Sequence, residues 1–304
     1  MKKMVLSAFV FAASVLATHA QLLYKVSGDS LRKPSYVFAT YRLINPVGTV
    51  ERVAGLRDAL NNTEQMYFEV NKSAYTNTLA DARKLKGGQM LKNLLTPSQL
   101  ALLDKFLKKY TEVGFNSPYS QRRYADITPA GMEEELEKLL FVANHMSEYD
   151  PTHTFDQYFE AQAKKNHEPV YGLSTCEEFT ACGYEAPLDK QVKSLVNFLE
   201  NEQVHLAELN KTADAFTAQD IDAVTKATSH VCGKKIARWT KALPAIMQAA
   251  PTFVVLEAAY LGGENGLLQQ LRKAGYTVEA VRYPCPLLLF RRMIRIDRMA
   301  KVVG

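Results

Sequence analysis

Short apolar runs punctuate the chain at LLYKVS (22–27), SYVFATYRLI (35–44), QMYFEV (65–70), EPVYGL (168–173), TFVVLEA (252–258) and YTVEAV (276–281). Each is rich in β-branched and aromatic residues and predicts a strand, because such side chains suit a pleated surface. Several are nearly continuous in apolar character, as strands covered on both faces require. Between them the spacing shifts to a helical period. In TPSQLALLDKFLKKY, Thr96 is placed to cap, Pro97 fits the first helical position, and Gln99 completes a capping box. Leu103, Phe106, Leu107 and Tyr110 then form one stripe. Thr128-Pro129 opens a second helix with Leu136, Leu139, Leu140 and Val142 facing inward. Further helices are predicted over 154–165, 189–201, about 217–230, 240–250 and 263–275, the last closing on Gly275 as a left-handed cap. No Gly/Ser linker divides the chain. The prediction is an α/β fold: a single domain over 21–283, with a central mixed β-sheet flanked by helices and a large helical insertion.

The first twenty residues stand apart. MKKMVLSAFVFAASVLATHA has two lysines, a short apolar stretch and small residues up to Ala20, which is the layout of a signal peptide. An exported protein is expected, periplasmic or extracellular, with its mature chain starting near Gln21. Lys+Arg 37 against Asp+Glu 32 gives +5, and losing Lys2 and Lys3 leaves 35 − 32 = +3, which gives no case for nucleic acid. At the other end, residues 284–304 alternate Leu, Ile and Met with arginines, and predict a basic, apolar tail able to contact a membrane surface. Cys176, Cys182, Cys232 and Cys285 allow three ways of making two disulfides, and no Cys-x-x-Cys favours zinc. Asn61, Asn71 and Asn210 match the glycosylation acceptor pattern, which matters only in a host that glycosylates.

Conventional catalytic patterns are scarce. The turn after 252–258 offers Glu257, Ala258, Ala259 and Tyr260, with no histidine, cysteine or serine. His145, His153, His167, His205 and His230 form no metal-ligand spacing and read as surface or helix-end residues. Glu133-Glu134-Glu135 and Glu177-Glu178 read as dipole-favoured helix starts, and Glu202 and Asp214 as solvated helix faces. GGENG lacks the lysine of a phosphate loop, and no Gly-x-Ser-x-Gly occurs.

LLYKVSGDSLRKPSYVFATYRLI, QMYFEV, FDQYFEAQAKKNHEPVYGLST and PTFVVLEAAYLGGENGLLQQLRKAGYTVEAV occur in an order that resembles the TraB/GumN family, relatives of the Tiki metalloproteases. The resemblance spans about residues 22–282. It implies two Gly-x-x-His corners and an acidic side chain that assemble a divalent-metal site for hydrolysis. Both corners are rewritten here. Ala39 and Arg42 stand for glycine and histidine in the first, around a retained Thr40. Glu257 and Ala259 stand for the glycines and Tyr260 for the histidine in the second. Ser174 replaces a glutamate, and Glu69 keeps the acidic position. Arginine has no lone pair to donate to a cation. The resemblance therefore implies a former site at Ala39, Thr40, Arg42, Glu69, Glu257 and Tyr260, without catalytic residues, metal or cofactor. Arg42 is expected in the ion's place, pairing with Glu69, Glu257 or both, with the Tyr260 hydroxyl in the same network.

The expected function is that of a secreted, non-catalytic protein whose remodelled cleft binds a peptide, a protein, a glycan or a small ligand. The alternative is a peptidase or other hydrolase holding manganese, cobalt or zinc with Glu69, Glu257 and His145 or His153. A third reading is a plain envelope-associated protein that interacts through its tail.

Overall fold

The computed structural model describes residues 21–145, 153–228 and 231–282. The signal-like segment, the 284–304 tail, Cys285 and His230 lie outside the described residues.

The strands are β1 Leu23–Ser27, β2 Ser35–Thr40, β3 Gln65–Phe68, β4 Val170–Gly172, β5 Thr252–Glu257 and β6 Thr277–Ala280. In chain order the α-helices are α1 Leu56–Asn61, α2 Thr76–Ala82, α3 Pro97–Thr111, α4 Pro118–Tyr124, α5 Pro129–Asn144 and α6 Phe155–Lys165. They continue with α7 Cys176–Tyr184, α8 Leu188–Glu200, α9 Glu202–Thr217, α10 Ile221–Ala227, α11 Gly233–Ala249 and α12 Leu267–Lys273. The strands form one mixed sheet in the order β4-β3-β5-β2-β1-β6. β2, β5, β3 and β4 run parallel, and β1 pairs antiparallel with both β2 and β6. The sheet thus joins strands more than two hundred residues apart, Phe38 lying opposite Val255.

β5 is central, and Thr252 to Leu256 are buried. On one face, Phe159 of α6 packs 4.7 Å from the Phe38 ring and 5.2 Å from that of Phe253. Met66 lies opposite Phe253, so its neighbour Gln65 points to the other face. There the Gln65 amide donates to the Ile246 carbonyl of α11 at 3.1 Å. The helical insertion has its own core, built from Leu103, Phe106, Met132, Leu136, Leu195 and Phe198 among others. α5 links the two cores: Leu140 belongs to the insertion's cluster and Phe141 to the sheet's.

Helix starts follow the capping chemistry. Thr96 accepts from the Gln99 N–H while the Gln99 side chain accepts from the Thr96 N–H, and Thr128 accepts from the Gly131 N–H. α1, α2, α4, α7 and α9 lie where no helix was predicted. The predicted 217–230 run is met by the shorter α10, Ile221–Ala227, whereas α9 buries only Thr212, Ala213 and Phe216, too sparse a stripe to show a period. α11 starts at Gly233, seven residues before the predicted 240–250 stretch, and runs on through Pro244.

Several of the acids read as solvated or merely dipole-favoured are engaged, while Asp214 is exposed as expected. Glu202 accepts from Lys109 at 2.6 Å and from the Tyr110 hydroxyl at 2.7 Å. Glu134 accepts from the Tyr184 hydroxyl at 2.8 Å, and Glu135 from Arg83 at 2.6 Å. Glu133 accepts from Ser194 at 3.0 Å. Burial, with Glu137 and Glu134 adding to it and the Ser194 bond opposing, pushes the Glu133 carboxyl up to about 7. A carboxyl raised on folding holds its proton in the native state after the unfolded chain has lost it. Its contribution is therefore fully favourable below the ordinary value of 4.5 and fades as pH rises through about 7. Glu133→Gln should gain about 1–3 kcal/mol at pH 8 and nothing near pH 4.5. Urea unfolding of both proteins across that range measures it, and a pH-independent difference overturns it.

Candidate functional site

The carboxyl ends of the parallel strands gather the candidate residues along one edge, where open α/β sheets place their ligands. Thr40 ends β2 directly opposite Glu257, which ends β5. Glu69 immediately follows β3, and Ser174 lies two residues past β4. Ala39, Ala259 and Tyr260 are buried. All of the predicted positions thus belong to one edge of the sheet.

Glu69 is held at both oxygens. Oε1 accepts from the Glu257 backbone N–H at 3.2 Å, and Oε2 accepts from the Lys235 ammonium at 3.3 Å. Lys235 is 4% exposed and sits in the first turn of α11. Its Nζ lies 4.3 Å from the centre of the Phe179 ring and 5.2 Å from that of Tyr260. Behind it, Trp239 packs edge-on to Tyr260 at 5.2 Å and donates its indole N–H to the Ser174 hydroxyl at 3.0 Å.

Arg42 takes a different place from the expected one. It pairs with Glu137 of α5, and its side chain is 41% exposed. Desolvation works against its charge, yet Glu137, then Glu257 and Glu134, outweigh that and raise its pKa. Glu257 therefore reaches Arg42 through its field, while the cation on Glu69 is Lys235. The physical reason is topological: α5 brings Glu137 to the end of β2, and α11 brings Lys235 to the end of β3. Tyr260 also differs. It offers its ring face to the ammonium. Burial first, then Glu69 and Glu257, raise the phenol far above its usual range, so it stays neutral. Glu257 is raised by burial and by Glu69, against the pull of Arg42, Lys72 and Lys235. Lys72 itself is paired with Asp156 at 2.6 Å.

The Gly262-Gly263 pair has a packing explanation. Its N–H groups donate to Thr225 at 3.2 Å and Asp222 at 2.7 Å, and a Cβ on Gly262 would stand 2.7 Å from the Ile221 carbonyl. These glycines let the loop press onto α10.

A divalent ion does not fit this donor set. It needs several oxygen or imidazole lone pairs at about 2 Å. Here the corners supply alanine, a guanidinium, a neutral phenol and the one carboxyl of Glu257, and an ammonium already holds Glu69. Among the described residues, no group of three or more His, Cys, Asp or Glu is arranged to hold a metal. His145, one of the histidines considered for such a site, stacks on Phe141 at 4.2 Å and bonds the Phe141 carbonyl instead. Lys235, Phe179, Trp239 and Glu137 were missed in the sequence. The one legible signal was Lys235 on the apolar stripe Ile236, Trp239, Leu243 and Met247.

Comparison with protein families matches the model of the TraB/PrgY/gumN family to residues 22–280. Comparison with curated proteins and with solved structures finds no match.

Proposed function

We propose that the chain, which belongs to the TraB/PrgY/gumN family, is an exported member that acts by binding rather than by metal-dependent hydrolysis. The observation behind this reading is the Lys235–Glu69 pair at the strand ends, where a buried ammonium occupies the carboxylate on which a metal site would depend. With the guanidinium of Arg42 and the neutral phenol of Tyr260 in the two corners, no water is activated there. The ligand class we favour is a peptide or protein segment, with a small molecule as the narrower case. Export is supported by the residues 1–20 pattern and by the Cys182–Cys232 disulfide, which persists in oxidising compartments.

Metal analysis of the purified native protein, together with peptidase assays with and without chelator, tests the central claim. We expect less than stoichiometric manganese, cobalt or zinc and no chelator-sensitive cleavage. Trp239 is the single tryptophan and touches Tyr260, so its emission reads the site directly. It should stay unchanged when these metals are added. A stoichiometric ion, or cleavage abolished by chelator, overturns the reading.

A further inference from the structure

The surroundings of Lys235 are more specific than those of a buried ion pair. Its ammonium meets the Glu69 carboxylate at 3.3 Å and lies over two aromatic rings, Phe179 at 4.3 Å and Tyr260 at 5.2 Å. Each wall is separately fixed. The Glu257 N–H holds the other oxygen of Glu69. Trp239 holds the ring of Tyr260 by packing edge-on to it at 5.2 Å. Phe179 belongs to α7, which is fastened beside the start of α11 by the Cys182–Cys232 bond and by the Glu178–Arg238 ion pair.

We propose that this arrangement is an ammonium-binding cage that the chain fills with its own lysine. A carboxylate and two ring faces suit an alkylammonium ion: one strong acceptor takes an N–H, and the ring quadrupoles stabilise the remaining charge. They do not suit a hard divalent ion, which gains nothing from ring faces and needs more oxygens. The disagreement between this chain and its family's metal pattern then has a positive content. A cation site remains at the strand ends, its specificity changed from metal to ammonium, and its occupant is supplied by α11. The inference rests on the functional reading only in taking the site as metal-free.

Lys235→Ala empties the cage while keeping its walls, and the atoms removed, from Cγ to Nζ, are those of propylammonium. In the full-length protein this variant should melt about 5–15 °C below the wild type, since it strands a buried carboxylate. Propylammonium chloride should restore at least half of that loss, saturably. Propanol and sodium chloride should not, and the wild type should not respond. Phe179→Leu in the Lys235→Ala background should weaken the rescue about fivefold, the share of one cation–ring contact. If Lys235→Ala does not fold alone, refolding with and without propylammonium is scored in the same way. Lys235→Met should also be less stable than Lys235→Met with Glu69→Gln. An unaffected melting temperature, rescue by propanol, rescue that is indifferent to Phe179, or better rescue by manganese than by propylammonium overturns the cage. Stoichiometric metal in the wild type would instead overturn the functional reading, so the two failures are distinguishable.

Discussion

Replacing Trp239 by alanine should cost about 3–5 kcal/mol of stability, the largest loss expected from any single core truncation in this protein. Trp239 is fully buried in α11, and its ring is the packing partner of Tyr260. Two effects combine. A large cavity opens between α11 and the loop after β5, and the Ser174 hydroxyl loses its indole donor in a buried setting. Trp239→Phe separates them: most of the ring is kept and only the donor is lost. That variant should cost about 1–2 kcal/mol. Urea unfolding followed by circular dichroism measures both. Equal losses in the two variants would show that packing volume is irrelevant there and would overturn the account.

The strands were legible because their apolar and β-branched runs are nearly uninterrupted. Every predicted run contains an observed strand, and 35–44 and 252–258, whose corners the resemblance assigns to one site, meet as the β2–β5 pair. One run is cut short: SYVFATYRLI stops being a strand at Thr40, and its last four residues turn into the corner. Helices with a capping box and a clear stripe were found. α9 was not predicted because its buried positions are few, and the start of α11, from Gly233 to Trp239, was missed.

At the site, the lost histidines could be read directly, since a guanidinium cannot ligate a metal whatever its surroundings. The new partners could not. Arg42 meets Glu137 across 95 positions and Glu69 meets Lys235 across 166, and no local pattern links such pairs. Charge reasoning correctly required a cation for Glu69, because an unpaired buried carboxylate is costly. It chose the nearest cation by motif position, Arg42. The helix that crosses the strand ends carries a different one. A lysine interrupting an otherwise apolar helical stripe, as Lys235 does beside Ile236 and Trp239, was the sequence feature that pointed there.

Opening the Cys182–Cys232 bond should cost about 2–4 kcal/mol. The bond spans 50 positions, and loop-closure entropy for such a span is worth about 4 kcal/mol in the unfolded chain, an upper figure for a real protein. It also joins α7, which carries Phe179, to the residue just before α11, which carries Lys235 and Trp239. Cys182 is exposed, so a reductant reaches the bond in the native state. Cys176 is buried, and burial, with Glu177 adding to it, raises its thiol pKa and keeps it from competing as a thiolate. Thermal unfolding with and without dithiothreitol should therefore separate two proteins cleanly. Reductant should bring the wild type down to the stability of Cys182→Ser/Cys232→Ser and leave that variant where it was. The Trp239 emission of the reduced wild type should also shift, because α7 is then free to move from the site. A wild-type transition unmoved by reductant, or a double variant as stable as the oxidised protein, would mean that α7 is held by Glu178–Arg238 and Tyr184–Glu134 alone.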